Sequence, residues 1–294
     1  MAPLRGGRAW AGLPRGGLAK VVPLLEHPRY EVFPAKSVEE AVAEWVPAGM
    51  TVTVTASPVK GLDATLDLAE RLAARGYQVV PHVSARLVAD DAHLSEIVAR
   101  LLACGIDDVF VPAGDADPPA GRFDSALSLI ERLTEMGRPF ARVGITGYPE
   151  SHPHIDDDIT IQAMWDKRQH AAYIVSNLCF DPAVLRRWIG RVRARGVTLP
   201  IFVGLAGPVD RARLVRMAAR AGVAESARFL AGHAEWFARL AAPGGYSPDR
   251  LLDRTGAALS APASAVAGLH LFTFNQIQPT EEWRRSLLSR LTSH

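Results

Sequence analysis

The stretch TVTVTASPVKGLDATLDLAERLAARGYQVVPH, residues 51–82, decides the fold. It opens on alternating Thr and Val over Thr51–Thr55, the β-branched pattern of a strand. Leu62, Leu66, Ala69 and Leu72 then recur on one face at helical spacing, which predicts a helix over Leu62–Ala74. Gly76 ends that helix, and Gln78–His82 is the next strand. A strand, an amphipathic helix and a second strand in so short a span make a crossover unit with parallel strands.

The same alternation continues in both directions. Upstream lie a strand over Tyr30–Phe33 and a helix over Val38–Val46. Downstream, Leu94, Ile97, Val98, Leu101 and Leu102 make a helical stripe before the strand Asp108–Val111. Phe123, Leu127, Ile130 and Leu133 make the next stripe, and Gly137 and Pro139 separate it from the strand Ala141–Ile145. A helix over Ile159–His170 leads to the strand Tyr173–Leu178, and a helix over Val184–Val192, capped by Gly196, leads to Pro200–Val203. Three helices follow in a row, Ala212–Ala221, Ala224–Leu240 and Pro248–Leu259, before the strand Gly268–Phe272 and the last helix, Glu281–Leu291.

Eight such units predict an α/β protein, a (β/α)8 TIM barrel in one domain over residues 23–294, with extra helices between strands 7 and 8. Residues 1–22, with Arg5, Arg8, Arg15 and Lys20 among glycines, read as a flexible N-terminal arm. The competing architecture is an open doubly wound sheet. That fold places a Gly-rich turn after its first strand, and here the turn Glu31–Lys36 has no glycine.

Composition narrows the function. Of 294 residues 48% are hydrophobic and 22% charged, enough for a sizeable core. The net charge of +2 offers no basic face for nucleic acid. No apolar run reaches the roughly 18 residues of a membrane span, and the N-terminus lacks the apolar core of a secretory signal. Two cysteines, Cys104 and Cys179, make neither a disulfide framework nor a zinc signature, so a cytoplasmic protein is expected.

Barrel enzymes place their chemistry at the C-terminal ends of the strands. Those positions here hold Glu31, Thr55 with Ser57, His82 with Ser84, Asp115 with Asp117, and Tyr148, Glu150, His152 and His154. Asn177, Gly204 with Gly207, and Asn275 with Gln276 complete the ring. Glu31 inside an apolar strand is either a desolvated carboxyl with a raised pKa, suited to a general acid, or a strand-end acid turned outward to a cation. Asp115 either accepts from the edge of a heterocycle or closes a turn. The Asn177 amide offers one donor and one acceptor to a flat ring. Gly204 and Gly207 make either a phosphate cradle or a tight turn. His152 and His154 with Asp156, Asp157 and Asp158 are either metal ligands or a loop leading into a helix N-terminus, where acids favour the dipole.

Seven elements in order resemble the methylenetetrahydrofolate reductase family. Tyr30-Glu31-Val32-Phe33-Pro34 resembles its Phe-Glu-Phe-Phe-Pro opening. Thr53-Val54-Thr55 is similar to Val-Thr-Tyr-Gly, and Pro81-His82-Val83-Ser84 to Pro-His-Leu-Thr. Gly114-Asp115 with Pro118-Pro119 resembles Arg-Gly-Asp-x-Pro. Gly147-Tyr148-Pro149-Glu150-Ser151-His152-Pro153 resembles Ala-Tyr-Pro-Glu-x-His-Pro, one of the two specific elements. Asn177-Leu178-Cys179-Phe180-Asp181 is similar to Gln-Phe-x-Phe-Asp. The other specific element is His270-x-x-Thr273-x-Asn275 within residues 268–275, similar to the Gly-x-His-Phe-Tyr-Thr-Leu-Asn end.

The resemblance implies reduction of 5,10-methylenetetrahydrofolate to 5-methyltetrahydrofolate, in one-carbon metabolism that serves methionine biosynthesis. It implies Glu31 as general acid and Asp115 as the acid that contacts the pterin, with Asn177, Asn275 and Gln276 also on the folate. Thr55, His82, Tyr148 and His152 match positions around the cofactor. The departures fall on flavin-contacting elements. Ala113 stands for an Arg, Thr55-Ala56-Ser57 for Thr-Tyr-Gly, and Asp166-Lys167-Arg168-Gln169-His170-Ala171-Ala172 for Lys-x-Asp-Ala-Gly-Ala. They point to a divergent member that takes hydride directly from NADH, or NADPH, without FAD. The alternatives are the same reaction through FAD, a metal-dependent lyase or hydrolase using His152 and His154, and a non-catalytic folate-binding barrel.

Overall fold

The computed structural model of the chain describes residues 16–56, 60–150, 157–208 and 247–293. Eight parallel strands lie in the order β3-β2-β1-β8-β7-β6-β5-β4. They are β1 Arg29–Val32, β2 Thr51–Val54, β3 Gln78–Pro81, β4 Asp108–Phe110, β5 Arg142–Gly147, β6 Tyr173–Ser176, β7 Ile201–Ala206 and β8 Val266–Phe272. A parallel bridge between His82 and Phe110, with Val83 N–H donating to Phe110 C=O at 2.8 Å, joins β3 to β4 and closes the ring. The sheet is thus a (β/α)8 barrel.

The helices alternate with the strands as expected. They are α1 Val22–Glu26, α2 Val38–Trp45, α3 Gly61–Ala74, α4 Asp91–Ala103, α5 Ala126–Glu135, α6 Asp157–Lys167, α7 Pro182–Ala194, α8 Pro248–Leu259 and α9 Ile277–Thr292. Local chemistry sets their ends. Asp90, Ser125, Asp181 and Ser247 each accept a backbone N–H of the first turn that would otherwise be orphaned. Pro182 and Pro248 stand in the first turn, where no N–H is needed. Gly196, at φ 82°, ends α7 in the left-handed region.

Helix α5 starts three residues later than its apolar stripe implies, because the Ser125 cap fixes its first turn and leaves Phe123 buried ahead of it. Of the three helices expected before the last strand, α8 forms as read; residues 212–221 and 224–240 lie outside the described residues. Within the stretch read as a mobile arm, Leu18–Val21 form a 3-10 turn with Leu18 and Val21 buried. A Cβ on Gly17 would strike the Asp253 carbonyl and one on Gly256 the Gly17 carbonyl, so this segment packs directly across α8.

Strand register sorts side chains into those facing helices and those filling the barrel. Arg29, Asp108, Tyr173 and Phe202 make the floor. The Arg29 guanidinium stacks 4.2 Å from the Tyr173 ring centre and 3.9 Å from that of Phe202, and meets Asp108 at 3.3 Å. Above it the register brings Glu31, Thr53 and Val80 to one level, and Gly204 beside His270 to the neighbouring one. Outside the barrel, Leu66, Leu72, Leu94, Ile97, Leu101, Leu129 and Ile130 form the core between strands and helices. The outer face of β1 is pinned by Tyr30, whose hydroxyl donates to Glu281 of α9 at 2.5 Å. Glu281 in turn is held by Arg284 at 2.7 Å.

Candidate functional site

Alternation along β1 turns Tyr30 and Val32 toward the helices and Glu31 into the barrel. There His270 Nε2 lies 2.9 Å from Glu31 Oε2, and His82 Nε2 lies 3.7 Å from the same oxygen. The Glu31 side chain is 17% exposed, against 7% for His82 and 1% for His270. The acid therefore sits at the rim of a dry cluster and not in bulk solvent. The outward-facing alternative for Glu31 is excluded.

The direction of its acidity corrects the sequence reading. Burial does push the Glu31 carboxyl up, as expected. The hydrogen bond and electrostatic pull of His270, the weaker pull of His82 and the Thr55 hydroxyl together outweigh it and leave the carboxyl below its ordinary value. Burial pushes His82 down to about 4, against the pull of Glu31, so it is neutral near pH 7.

The end of β8 holds this acid through its backbone as well. Thr273 Oγ1 donates to the Glu31 carbonyl at 2.6 Å. The Asn275 amide accepts from Phe33 N–H at 3.0 Å and donates to Phe33 C=O at 2.9 Å. Asn275 is thus directed at backbone and not at the mouth. Gln276 is buried at the start of α9. His270, Thr273 and Asn275 act together on Glu31 and its strand. The sequence reading quoted His270 within a motif and gave it no role. Strict alternation was the available signal: it puts His270 and Phe272 inside the barrel and Leu269 and Leu271 outside.

Across the mouth, the Asp115 loop is fastened to the turn after β3. Ala85 N–H donates to Pro112 C=O at 3.0 Å, Arg86 N–H to Ala113 C=O at 2.9 Å, and Arg86 Nε to Ala116 C=O at 2.7 Å. Gly114, at φ 88°, passes so near Ser84 that a Cβ would collide with it. Asp115 itself is exposed. The Tyr148 hydroxyl is pushed up by burial first and then by the Asp115 charge, with the Thr146 hydroxyl pulling the other way. Asn177 N–H donates to Gly147 C=O at 2.7 Å, which sets it beside the Tyr148 segment. Its Oδ1 accepts from Leu178 N–H at 2.9 Å, which leaves the amide NH2 without a hydrogen bond among the described residues. Glu150 accepts from Phe180 N–H at 2.6 Å and Asp181 N–H at 3.2 Å, tying the β5 and β6 loops together.

Other candidates resolve differently. Gly204 N–H donates to Ser176 Oγ at 2.8 Å and Gly207 N–H to Phe272 C=O at 3.1 Å. Added Cβ atoms would strike Ser176 and Thr280 respectively, so both glycines serve strand packing, and neither N–H is left for a phosphate. His152, His154 and Ser57 lie outside the described residues. Among the described residues no three His, Cys, Asp or Glu side chains gather as a metal site, and no helix is long and apolar enough to cross a membrane.

The donor set beneath the β4 loop is a poor match for a flavin diphosphate. Ala113 supplies no cation, and the nearby Arg86 guanidinium is committed to Ala116 C=O and to Asp117 at 3.2 Å. Residues 166–172, however, form the end of α6 and the entry to β6, so they lie at the floor end of the barrel, away from the Glu31 side. His170 there bonds Thr134 at 2.8 Å. The departures in that segment therefore say little about the mouth.

Residues 35–231, more than half of the chain, match the methylenetetrahydrofolate reductase family. A 115-residue segment is 30% identical to methylenetetrahydrofolate reductase 2 of Saccharomyces cerevisiae, covering 36% of this chain and 19% of that protein. A 98-residue segment is 31% identical to methylenetetrahydrofolate reductase 1 of Schizosaccharomyces pombe, covering 32% and 16%. The aligned segments thus span under a fifth of either yeast protein. Among solved structures, a putative lyase/mutase of Burkholderia cenocepacia superimposes with a TM-score of 0.49 at 15% identity, over 93% of this chain and 84% of that one. A Xanthomonas albilineans dihydropteroate synthase gives 0.42 at 15% identity, over 92% and 95%.

Proposed function

The chain belongs to the methylenetetrahydrofolate reductase family, and from that premise we propose that it reduces 5,10-methylenetetrahydrofolate to 5-methyltetrahydrofolate, with a nicotinamide nucleotide, NADH or NADPH, as direct hydride donor and without FAD. The observation that carries the reading is Glu31, a carboxyl at the barrel mouth gripped by His270 at 2.9 Å. In this reading the protonated form of Glu31, a minority because the carboxyl lies below its ordinary value but a strong donor for the same reason, delivers a proton taken up from solvent to the folate nitrogen whose bond to the bridging carbon breaks. The carbon becomes an electrophilic iminium, ready for hydride. Asp115 stabilises the cationic pterin electrostatically, and the free NH2 of Asn177 meets an acceptor on the ring.

Thr55, His82, Tyr148 and His152 are assigned to the walls against which the two rings stack. Holding the reacting carbons at near-attack distance contributes about 7–11 kcal/mol in reactions of this kind. Asn275 and Gln276 are assigned to the same end of the barrel, Asn275 acting through the Phe33 backbone. The flavin-free form is supported by Ala113 and by the committed Arg86.

The test is anaerobic oxidation of NADH by the purified protein with methylenetetrahydrofolate, with and without added FAD. Turnover without FAD is expected, and its abolition in Glu31→Gln with folate still bound. Absence of turnover under both conditions overturns the reading.

A further inference from the structure

We propose that His270 is a positioning residue for this reaction: its Nε2–H donates to Glu31 Oε2 throughout, so that the proton delivered to substrate rides on Oε1. The inference rests on Glu31 as proton donor and goes beyond it by naming the oxygen and the group that selects it.

The tautomer follows from burial. His270 is 1% exposed, and its Nδ1 has no hydrogen-bond partner among the described residues. A hydrogen on that nitrogen would be buried without an acceptor, a costly arrangement. The hydrogen therefore belongs on Nε2, where Oε2 accepts it at 2.9 Å. The ring is also packed against its neighbours. Phe272 packs edge-on 4.8 Å from it, and the neighbouring position on β7 is Gly204, where any side chain would strike the Phe272 ring or Ser176.

The rest of the surroundings leave this contact in control. His82, from β3, is 3.7 Å from Oε2 and neutral near pH 7. Thr55, from β2, contributes only a hydroxyl. Arg29, below on β1, is answered by Asp108. When the Glu31 Oε1–H bond breaks, the proton passes to the folate nitrogen. The electrons of the breaking C–N bond stay on that nitrogen, and Glu31 becomes a carboxylate. The His270 hydrogen bond then meets a carboxylate instead of a carboxylic acid, so it strengthens as the barrier is crossed. Solvent reprotonates Oε1 after release.

The test compares wild type, His270→Phe, which keeps a planar ring and loses the donor, and His270→Gln, which restores an N–H. In His270→Phe, kcat should fall about 30-fold or more with KM for folate changed less than about threefold, and His270→Gln should recover much of the loss. Independently of activity, the Glu31 carboxyl is followed by NMR in 13C-glutamate-labelled protein, its signal assigned by its absence in Glu31→Gln. Its titration should move to higher pH in His270→Phe, because burial is then opposed only by the weaker effects of His82 and Thr55. An unmoved titration overturns the inference whether or not the protein reduces folate. A moved titration with unchanged kcat overturns its catalytic part. Should His270→Phe not fold, His270→Gln alone decides: an unaltered pH profile, relative to wild type, of a variant that has lost activity rejects the positioning role. A wild type without reductase activity but with the expected titration rejects the function and leaves the hydrogen bond.

Discussion

The side-chain amide of Asn275 holds the backbone of Phe33 from both sides, accepting its N–H at 3.0 Å and donating to its C=O at 2.9 Å. The contact joins the two ends of the barrel sequence and sits two residues beyond Glu31. Asn275→Asp keeps the size, tolerates the left-handed φ of 56° and can still accept. It cannot donate, and it sets a carboxylate against the Phe33 carbonyl. The expected loss is about 1–2 kcal/mol of stability, because the contact is solvent-accessible. A kcat about tenfold lower with little change in KM is expected if the strand end shifts the acid. Denaturant titration and steady-state kinetics check the two numbers.

How far this site was legible in the sequence depends on the separation of its parts. The βαβ rhythm is local, so strand and helix positions emerged within a few residues. β1 begins one residue earlier than expected, because a charged Arg29 looks like loop until its guanidinium is seen against the Tyr173 and Phe202 rings. β7 runs on to Ala206, because Gly204 looks like a turn until Ser176 is seen against it. Glu31 stood out as an acid in an apolar strand. Its lowered pKa could not, since the partner responsible is 239 residues away. Asn275 was matched by motif and its target missed, because an amide that binds backbone looks the same in sequence as one that binds a ligand.

His82 makes stability depend on pH. Its folded pKa of about 4 lies below the ordinary 6.5, so between these values the unfolded chain binds a proton that the folded protein refuses. Stability therefore falls as pH drops from 6.5 toward 4, by about 3 kcal/mol for this one buried group. Glu31, with its lowered pKa, adds a further loss as pH falls below 4.5. Urea melts at pH 7 and pH 5 should differ for wild type and differ much less for His82→Gln. Equal pH dependence in the two proteins would refute the assignment.

The barrel floor predicts a stability defect without any change in chemistry. Arg29 is 4% exposed and is the near cation for Asp108, whose carboxyl burial already pushes up despite that partner. Arg29→Met leaves the acid buried with the Tyr173 hydroxyl at 2.7 Å and, as its remaining cation among the described residues, the more distant Arg142 at 3.7 Å. A loss of about 3–5 kcal/mol is expected from breaking a buried pair on one side. Arg29→Met with Asp108→Asn should regain part of it, since no charge then remains unanswered. A double variant no better than the single one would show that ring stacking, and not the ion pair, is what the floor needs.

The last prediction concerns what the protein carries when purified. A flavin diphosphate needs cations or free N–H groups, and the β4 loop offers Ala113 where a side-chain cation would serve, with Arg86 held by Ala116 and Asp117. Restoring a cation by Ala113→Arg is a gain-of-binding experiment. Wild type should show no absorbance between about 370 and 450 nm after desalting, and added FAD should leave NADH oxidation unchanged. Ala113→Arg should bind added FAD more tightly than wild type if phosphate charge is the missing element. Activity of wild type should also survive prolonged EDTA treatment, because the only paired histidines near the mouth in sequence, His152 and His154, are separated by Pro153 and are not expected to form a metal site. Retained flavin in wild type would return the reaction to its FAD-dependent form, whereas loss of activity with EDTA, restored by a divalent metal, would return it to the hydrolytic or lyase alternative.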